Sequence, residues 1–150
     1  MKRQDKYPDT STFHYYNANP KNRITGDCVI RAICVACEVP YNQVVMDLAK
    51  IQCETGYDYG GKGTDILLKQ YGWTKMNQPR KIDNTKYTGK EFCSIIQDEE
   101  NDKNINRIVA NIGGHHIVAI INGKVWDIWD STDGCIGNYW IKEWFRINQM

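Results

Sequence analysis

Apolar residues recur at helical spacing through the first two thirds of the chain, then gather into short unbroken runs in the last third. The first helical pattern follows Asp27, a capping residue type, and its apolar positions Val29, Ile30, Ile33, Val35, Ala36 and Cys37 cover more than one stripe, as in a helix buried on most sides. Pro40 ends it. A second helix is predicted from Asn42 to Cys53, where Val44, Val45, Leu48 and Ile51 return every three or four residues. Gly56 and the turn Gly60-Gly61-Lys62-Gly63 close it. Thr64 is placed to cap a short helix through Ile66, Leu67, Leu68 and Tyr71 that Gly72 stops. Thr88 with Glu91 three residues on is a capping-box pattern, opening a helix through Phe92, Ile95 and Ile96 that gives out in the charged stretch Asp98 to Lys103.

The period then changes. Ile108 to Ile112, Ile117 to Ile121 and Val125 to Trp129 are β-branched and aromatic runs separated by Gly113-Gly114 and Asn122-Gly123, and Asn138 to Ile147 alternates as a fourth strand. Asn-Gly is a strong hairpin signal, so the second and third runs should pair antiparallel. Helices first and an antiparallel sheet second make an α+β fold, with the first helix packed on the sheet. Residues 1–12 carry five charged groups and almost no apolar material, and they are expected to form a flexible tail ahead of one domain over 13–150. His14 to Gly26 is turn-rich and reads as a shaped loop.

Composition narrows the class. At 150 residues, 41% hydrophobic and 25% charged, the chain has the material for one globular domain with its own core. Nineteen Lys and Arg against eighteen Asp and Glu leave no basic surplus of the kind that nucleic-acid binding exploits, so no nucleic-acid partner is expected. Ile108 to Asn122, a fifteen-residue stretch without charge, is too short to span a bilayer and holds two His and two Gly, so no membrane partner is expected either. The polar start of the chain lacks the apolar centre of a secretion signal, which points to the cytoplasm. There the six cysteines are expected to be free thiols, used for packing or for chemistry.

Cys28 follows the cap at the first turn of its helix, where unpaired N–H groups and the helix dipole favour a thiolate. His116 starts one hairpin strand, and a carboxylate at the end of the partner strand can orient its imidazole. A three-residue loop, Asn122-Gly123-Lys124, sets His116 opposite Asp130; a two-residue loop sets His115 opposite Asp130. The first pairing makes Asp130 the expected acid, with His115 and Asp127 as alternatives. Arg31, one turn beyond Cys28, can favour a thiolate, hold a substrate carboxylate or pair internally with an acid. Cys34 and Cys37 have Cys-x-x-Cys spacing but no second pair or nearby His, so no metal site is expected. Trp126, Trp129, Trp140 and Trp144 fit buried strand faces.

A helix-N-terminal Cys, a His before an apolar strand and an Asp after the hairpin, in this order, resemble the papain-like cysteine peptidase superfamily. The likeness runs from about Asn22 to Thr132 and is closest to the bacteriocin-processing peptidases that trim double-glycine leaders. Asp27-Cys28-Val29-Ile30-Arg31-Ala32-Ile33 resembles that family's Asp-Cys-Gly nucleophile helix, and Gly63-Thr64-Asp65-Ile66-Leu67-Leu68 with Tyr71-Gly72-Trp73 resembles its Gly-Thr-Ser helix and stop. Arg107 to Ile121 is similar to the strand, turn and His-strand that follow, and Trp129-Asp130-Ser131 to the family's Asp-Pro. Val29 stands where the family has Gly, and Asn22, six residues before Cys28, where it has the Gln of the oxyanion hole.

The resemblance implies a cysteine peptidase or amide hydrolase that uses Cys28, His116 and Asp130. Asn22 and the Cys28 N–H would hold the oxyanion; Asn17 and Asn19 compete for the amide role. No cofactor is implied, and the partner is a peptide or protein substrate. The alternative is a catalytically silent, peptidase-like binding module, encoded by a phage or mobile element. A His116 turned away from Cys28, or a filled groove between the helices and the sheet, would favour that alternative.

Overall fold

A computed structural model describes residues 1–98 and 106–142. The helices of the first half are α2 (Cys28–Cys37), α3 (Tyr41–Thr55) and α4 (Lys62–Gln70), and α5 (Gly89–Gln97) follows. The strands are β1 (Phe13–Tyr15), β2 (Trp73–Met76), β3 (Arg107–Ile112), β4 (His116–Ile121), β5 (Lys124–Asp127) and β6 (Ile136–Lys142). They form one six-stranded sheet in the order β1-β5-β4-β3-β6-β2. The α+β expectation holds, but the sheet is mixed: β1 runs parallel to β5, pairing Phe13 with Val125 and Tyr15 with Asp127. The expected fourth strand begins earlier, at Ile136, and its residues 143–147 lie outside the described residues, as do 99–103 of the charged stretch.

Both faces of the sheet are covered. Val109, Ala119, Ile121 and Trp140 pack against Ile33, Val44, Leu48 and Leu67 of α2, α3 and α4. On the opposite face Ile108, Ala110, Ile112, Val118 and Ile120 pack with Phe13 and with Phe92 and Cys93 of α5. A sheet buried on both sides has no polar face to alternate with, which is why β3 and β4 appear in sequence as continuous apolar runs. Two strands escaped the sequence pattern because they are short edge strands: β1, three residues long, takes in His14 and Tyr15 of the expected loop, and β2 four residues just past Gly72.

Helix starts differ in detail from the capping pattern. The Thr88–Glu91 capping box is present at α5. Thr64, in contrast, lies inside α4, which begins at Lys62 after Gly61, and its hydroxyl donates back to Tyr59 O. Asp27 precedes α2, but its carboxylate makes no capping bond, being drawn instead into a buried network. The C-terminal carbonyls of α2 are met by Arg107, whose guanidinium donates to Val35 O at 2.8 Å and pairs with Glu38 at 2.9 Å.

The β4–β5 hairpin has the two-residue loop. Asn122 and Gly123 both have positive φ, 51° and 75°, and Ile121 faces Lys124 directly. Two positive-φ residues in a row make the tight turn whose twist matches the flanking strands, and that turn sets the register. Within residues 1–12, expected to be a tail, a short helix α1 spans Arg3–Lys6, Arg3 Nε donates to Ile128 O at 2.7 Å and Thr12 is buried. Among the described residues no single helix is long and apolar enough to cross a membrane.

Of the glycines, Gly63 stands closest to other backbone: a Cβ there would lie 2.0 Å from Asp58 O. Gly63→Ala is expected to displace the turn before α4 and cost about 1–3 kcal/mol. Urea unfolding checks this through a lower midpoint with an unchanged slope.

Candidate active site

The helix α2 brings Cys28 to the start of β4. The half-buried thiol faces the His116 ring and the Ile117 N–H. Burial opposes the thiolate, but those two groups, with the charges of His116 and Arg31, outweigh it, and the pKa falls below its ordinary 9.0. The first turn of a helix adds N–H groups without helical acceptors. For His116 the balance tips toward the proton. Burial alone would lower its pKa, yet Asp127 and Cys28 raise it from 6.5 to about 9. Both shifts run in the direction of a thiolate–imidazolium pair.

The acid is Asp127, not Asp130. His116 Nε2 donates to Asp127 Oδ2 at 2.5 Å, which leaves Nδ1 as the ring nitrogen for the sulfur. The reason lies in the turn. With Ala119 opposite Trp126, one further step along the ladder sets Asp127 across from Val118, a same-face diagonal neighbour of His116. Asp130 is past the strand, where its Oδ1 accepts from Thr132 N at 3.0 Å and Thr132 Oγ1 at 2.6 Å. It is a turn-forming residue. His115 is exposed beside the Gly113-Gly114 turn and is not part of the contact.

Asp127 is 2% exposed and fully bonded. Its Oδ1 accepts from Arg31 Nη1 at 2.6 Å and from Ile128 N at 2.7 Å, and the parallel strand β1 holds its backbone through Tyr16 N to Asp127 O at 2.9 Å. Arg31, itself 5% exposed, also donates from Nε to Asp27 Oδ1 at 2.7 Å. The other oxygen of Asp27 accepts from Tyr41 Oη at 2.6 Å and from Asn19 Nδ2 at 3.0 Å. Burial would raise the pKa of Asp27, but Tyr41, Arg31 and Asn19 hold it below the usual carboxylate range. Of the uses open to Arg31, internal pairing with two acids is realised, and its charge also favours the Cys28 thiolate. Sequence carried one missed signal: a charged residue inside an otherwise apolar helix needs buried acids, and Asp27 lies one turn before it.

Asn22 is not drawn into this cluster. It stands on the exposed loop with φ 55°, its Oδ1 accepting from Asn17 Nδ2 at 3.3 Å, and it lines neither cleft beside Cys28. Asn19 is committed to Asp27. The Cys28 N–H, at the head of α2, is among the helix-start N–H groups without an acceptor inside the helix.

Two open clefts flank the pair. One, of about 440 Å³, includes His116, Trp129 and Asp130. Trp129 was expected on a buried strand face, but it is 37% exposed past the end of β5, its ring centroid 5.0 Å from that of His116. Trp140 is buried as expected, Trp126 is partly buried, and Trp144 lies outside the described residues. The other cleft, of about 650 Å³, runs from Val29 and Ile117 to the Gly60-Gly61 turn and β2. Cys34 and Cys37 are free thiols, Cys37 pushed up to about 12 by burial, and no metal-ligand cluster occurs among the described residues.

Site-resolved iodoacetamide labelling at about pH 6 is expected to mark Cys28 ahead of the exposed Cys53 and Cys135. His116→Ala and Asp127→Asn should slow it, because each weakens the imidazolium beside the sulfur, while Asp130→Asn should not. Arg31→Met would strand two buried carboxylates without their counter-charge, and a loss on the order of 3–5 kcal/mol is expected in urea unfolding.

Comparison with protein-family models, curated proteins and solved structures finds no match for this chain.

Proposed function

We propose that the chain is a cysteine hydrolase of peptide or amide bonds built on a papain-like arrangement, with Cys28, His116 and Asp127 as its triad. The observation that carries this reading is the ordered contact from the Cys28 thiol to His116 to buried Asp127. Surface ion pairs do not require such an order, whereas a nucleophile, a base and an orienting acid do. The open clefts on both sides of the pair supply what a substrate chain needs, and they count against a silent binding module.

The thiolate attacks the carbonyl carbon, and the oxygen takes up negative charge beside the Cys28 N–H and the N-terminal end of α2. His116 gives its proton to the leaving amine as the C–N bond breaks. A water then enters, His116 takes one of its protons, and the hydroxide releases the acid and restores the thiol pair. Asp127 keeps the ring oriented through both steps, and Arg31 keeps Asp127 oriented. Trp129 lies against the His116 ring, its centroid 5.0 Å away.

A pool of fluorogenic peptide amides provides the test. Wild-type protein should release fluorophore, Cys28→Ala should not, and His116→Ala should lose roughly 10²–10⁴ in rate. Loss of the imidazolium proton sets the alkaline limb, so turnover should fall as the pH rises through about 9. No turnover together with a Cys28 that labels no faster than Cys53 would overturn the reading.

A further inference from the structure

The larger cleft begins at Val29 and Ile117, the chain neighbours of Cys28 and His116, and ends at an ion pair. Lys75 Nζ donates to Asp65 Oδ2 at 2.9 Å, both side chains being about two-fifths exposed. The second carboxylate oxygen, Asp65 Oδ1, has no hydrogen-bond partner among the described residues. The Lys75 ammonium also lies 5.9 Å from the centroid of the buried Trp140 ring, which lines the same cleft. The cleft thus sets one cationic donor and one anionic acceptor side by side, near Trp140 and among the neutral amides of Gln78, Asn111 and Asn138.

The smaller cleft contains His116, the group that protonates the leaving amine, so the leaving portion of a substrate belongs there. The larger cleft, lined by Val29 and Ile117, the chain neighbours of Cys28 and His116, is then left for the acyl portion. An acidic or a basic side chain placed there would meet its own charge at one member of the Asp65–Lys75 pair. A primary carboxamide meets neither conflict. Its oxygen and its NH2 group lie on one carbon, side by side, and they match an adjacent donor and acceptor. A backbone amide, with C=O and N–H pointing opposite ways, cannot engage both at once.

We propose that this cleft is an acyl-side specificity subsite for a carboxamide side chain, glutamine or asparagine, with Lys75 donating to the amide oxygen and Asp65 Oδ1 accepting from the amide nitrogen. The proposal rests on the hydrolase reading above and adds to it the substrate side chain.

The test uses peptidyl acyloxymethyl ketones that differ only in one residue, Gln, Glu, Lys or Met, at either of the two positions preceding the electrophile. The rate at which each modifies Cys28 is divided by the iodoacetamide rate on the same protein. The Gln probe is expected to lead the Glu, Lys and Met probes by roughly ten- to hundredfold. Asp65→Ala and Lys75→Met should each erase most of that lead. Equal rates for all four probes, or a Gln preference that survives both substitutions, would overturn the subsite. The iodoacetamide rate reports separately on the thiolate: if wild-type Cys28 is slow toward iodoacetamide at about pH 6, the hydrolase reading itself fails, and the subsite fails with it.

Discussion

A single buried guanidinium holds the site together. Arg31 reaches Asp27 just ahead of its own helix and Asp127 at the end of β5, so one side chain ties the helix that carries Cys28 to the strand that bonds His116. Each of these three groups alone would be intolerable in the interior, since an isolated buried charge costs several kcal/mol. Together they satisfy one another, with Tyr41, Asn19 and the Ile128 N–H taking up the remaining acceptor positions. The consequence for chemistry is rigidity. Asp127 has one orientation available, hence so does His116, and the sulfur of Cys28 meets a nitrogen whose direction is set three residues away through space.

The helix α2 is anchored at both ends by arginines in opposite electrostatic roles. At its start Arg31 neutralises carboxylates, and at its finish Arg107 caps the carbonyls of Val35 and Ala36 and pairs with Glu38. A cation at the C-terminal end and an anionic thiolate at the N-terminal end both lie along the helix dipole in its favourable sense. The fold thus lends its strongest local field to the atom that the proposed reaction needs ionised. Covering both faces of the sheet adds to this, because β4 cannot shift without disturbing two cores.

Much of the site was legible in the chain. Cys28 was found from its place after Asp27 at the head of an apolar helix, and His116 from its place at the start of a β-branched run. The acid was misplaced by one turn geometry. Asn122-Gly123 permits a two- or a three-residue loop, and the choice moves every partner across the hairpin by one position. Positive φ at both Asn122 and Gly123 realises the tighter turn, so Asp127 rather than Asp130 shares a face with His116. Asn22 was expected from the resemblance, standing where the family has its Gln, but the loop is fastened by Asn17 and Asn19, whose side-chain bonds no periodicity reports.

By itself, the sequence determined the α+β order, the helices around Cys28 and Val44, the capping box at Thr88, the apolar strands and the choice of Cys28 and His116 as the residues to watch. These depend on local spacing, on capping chemistry and on the match between side-chain period and backbone geometry, which neighbours along the chain suffice to specify. Only the tertiary structure decided that β1 pairs parallel with β5, that Arg31 faces two acids, that Asp127 rather than Asp130 bonds His116 and that one cleft is lined by both Val29 and the Asp65–Lys75 pair. Those are encounters between groups far apart in the chain, such as Arg31 and Asp127, whose meeting is decided by burial and hydrogen bonding when the two cores close on the sheet.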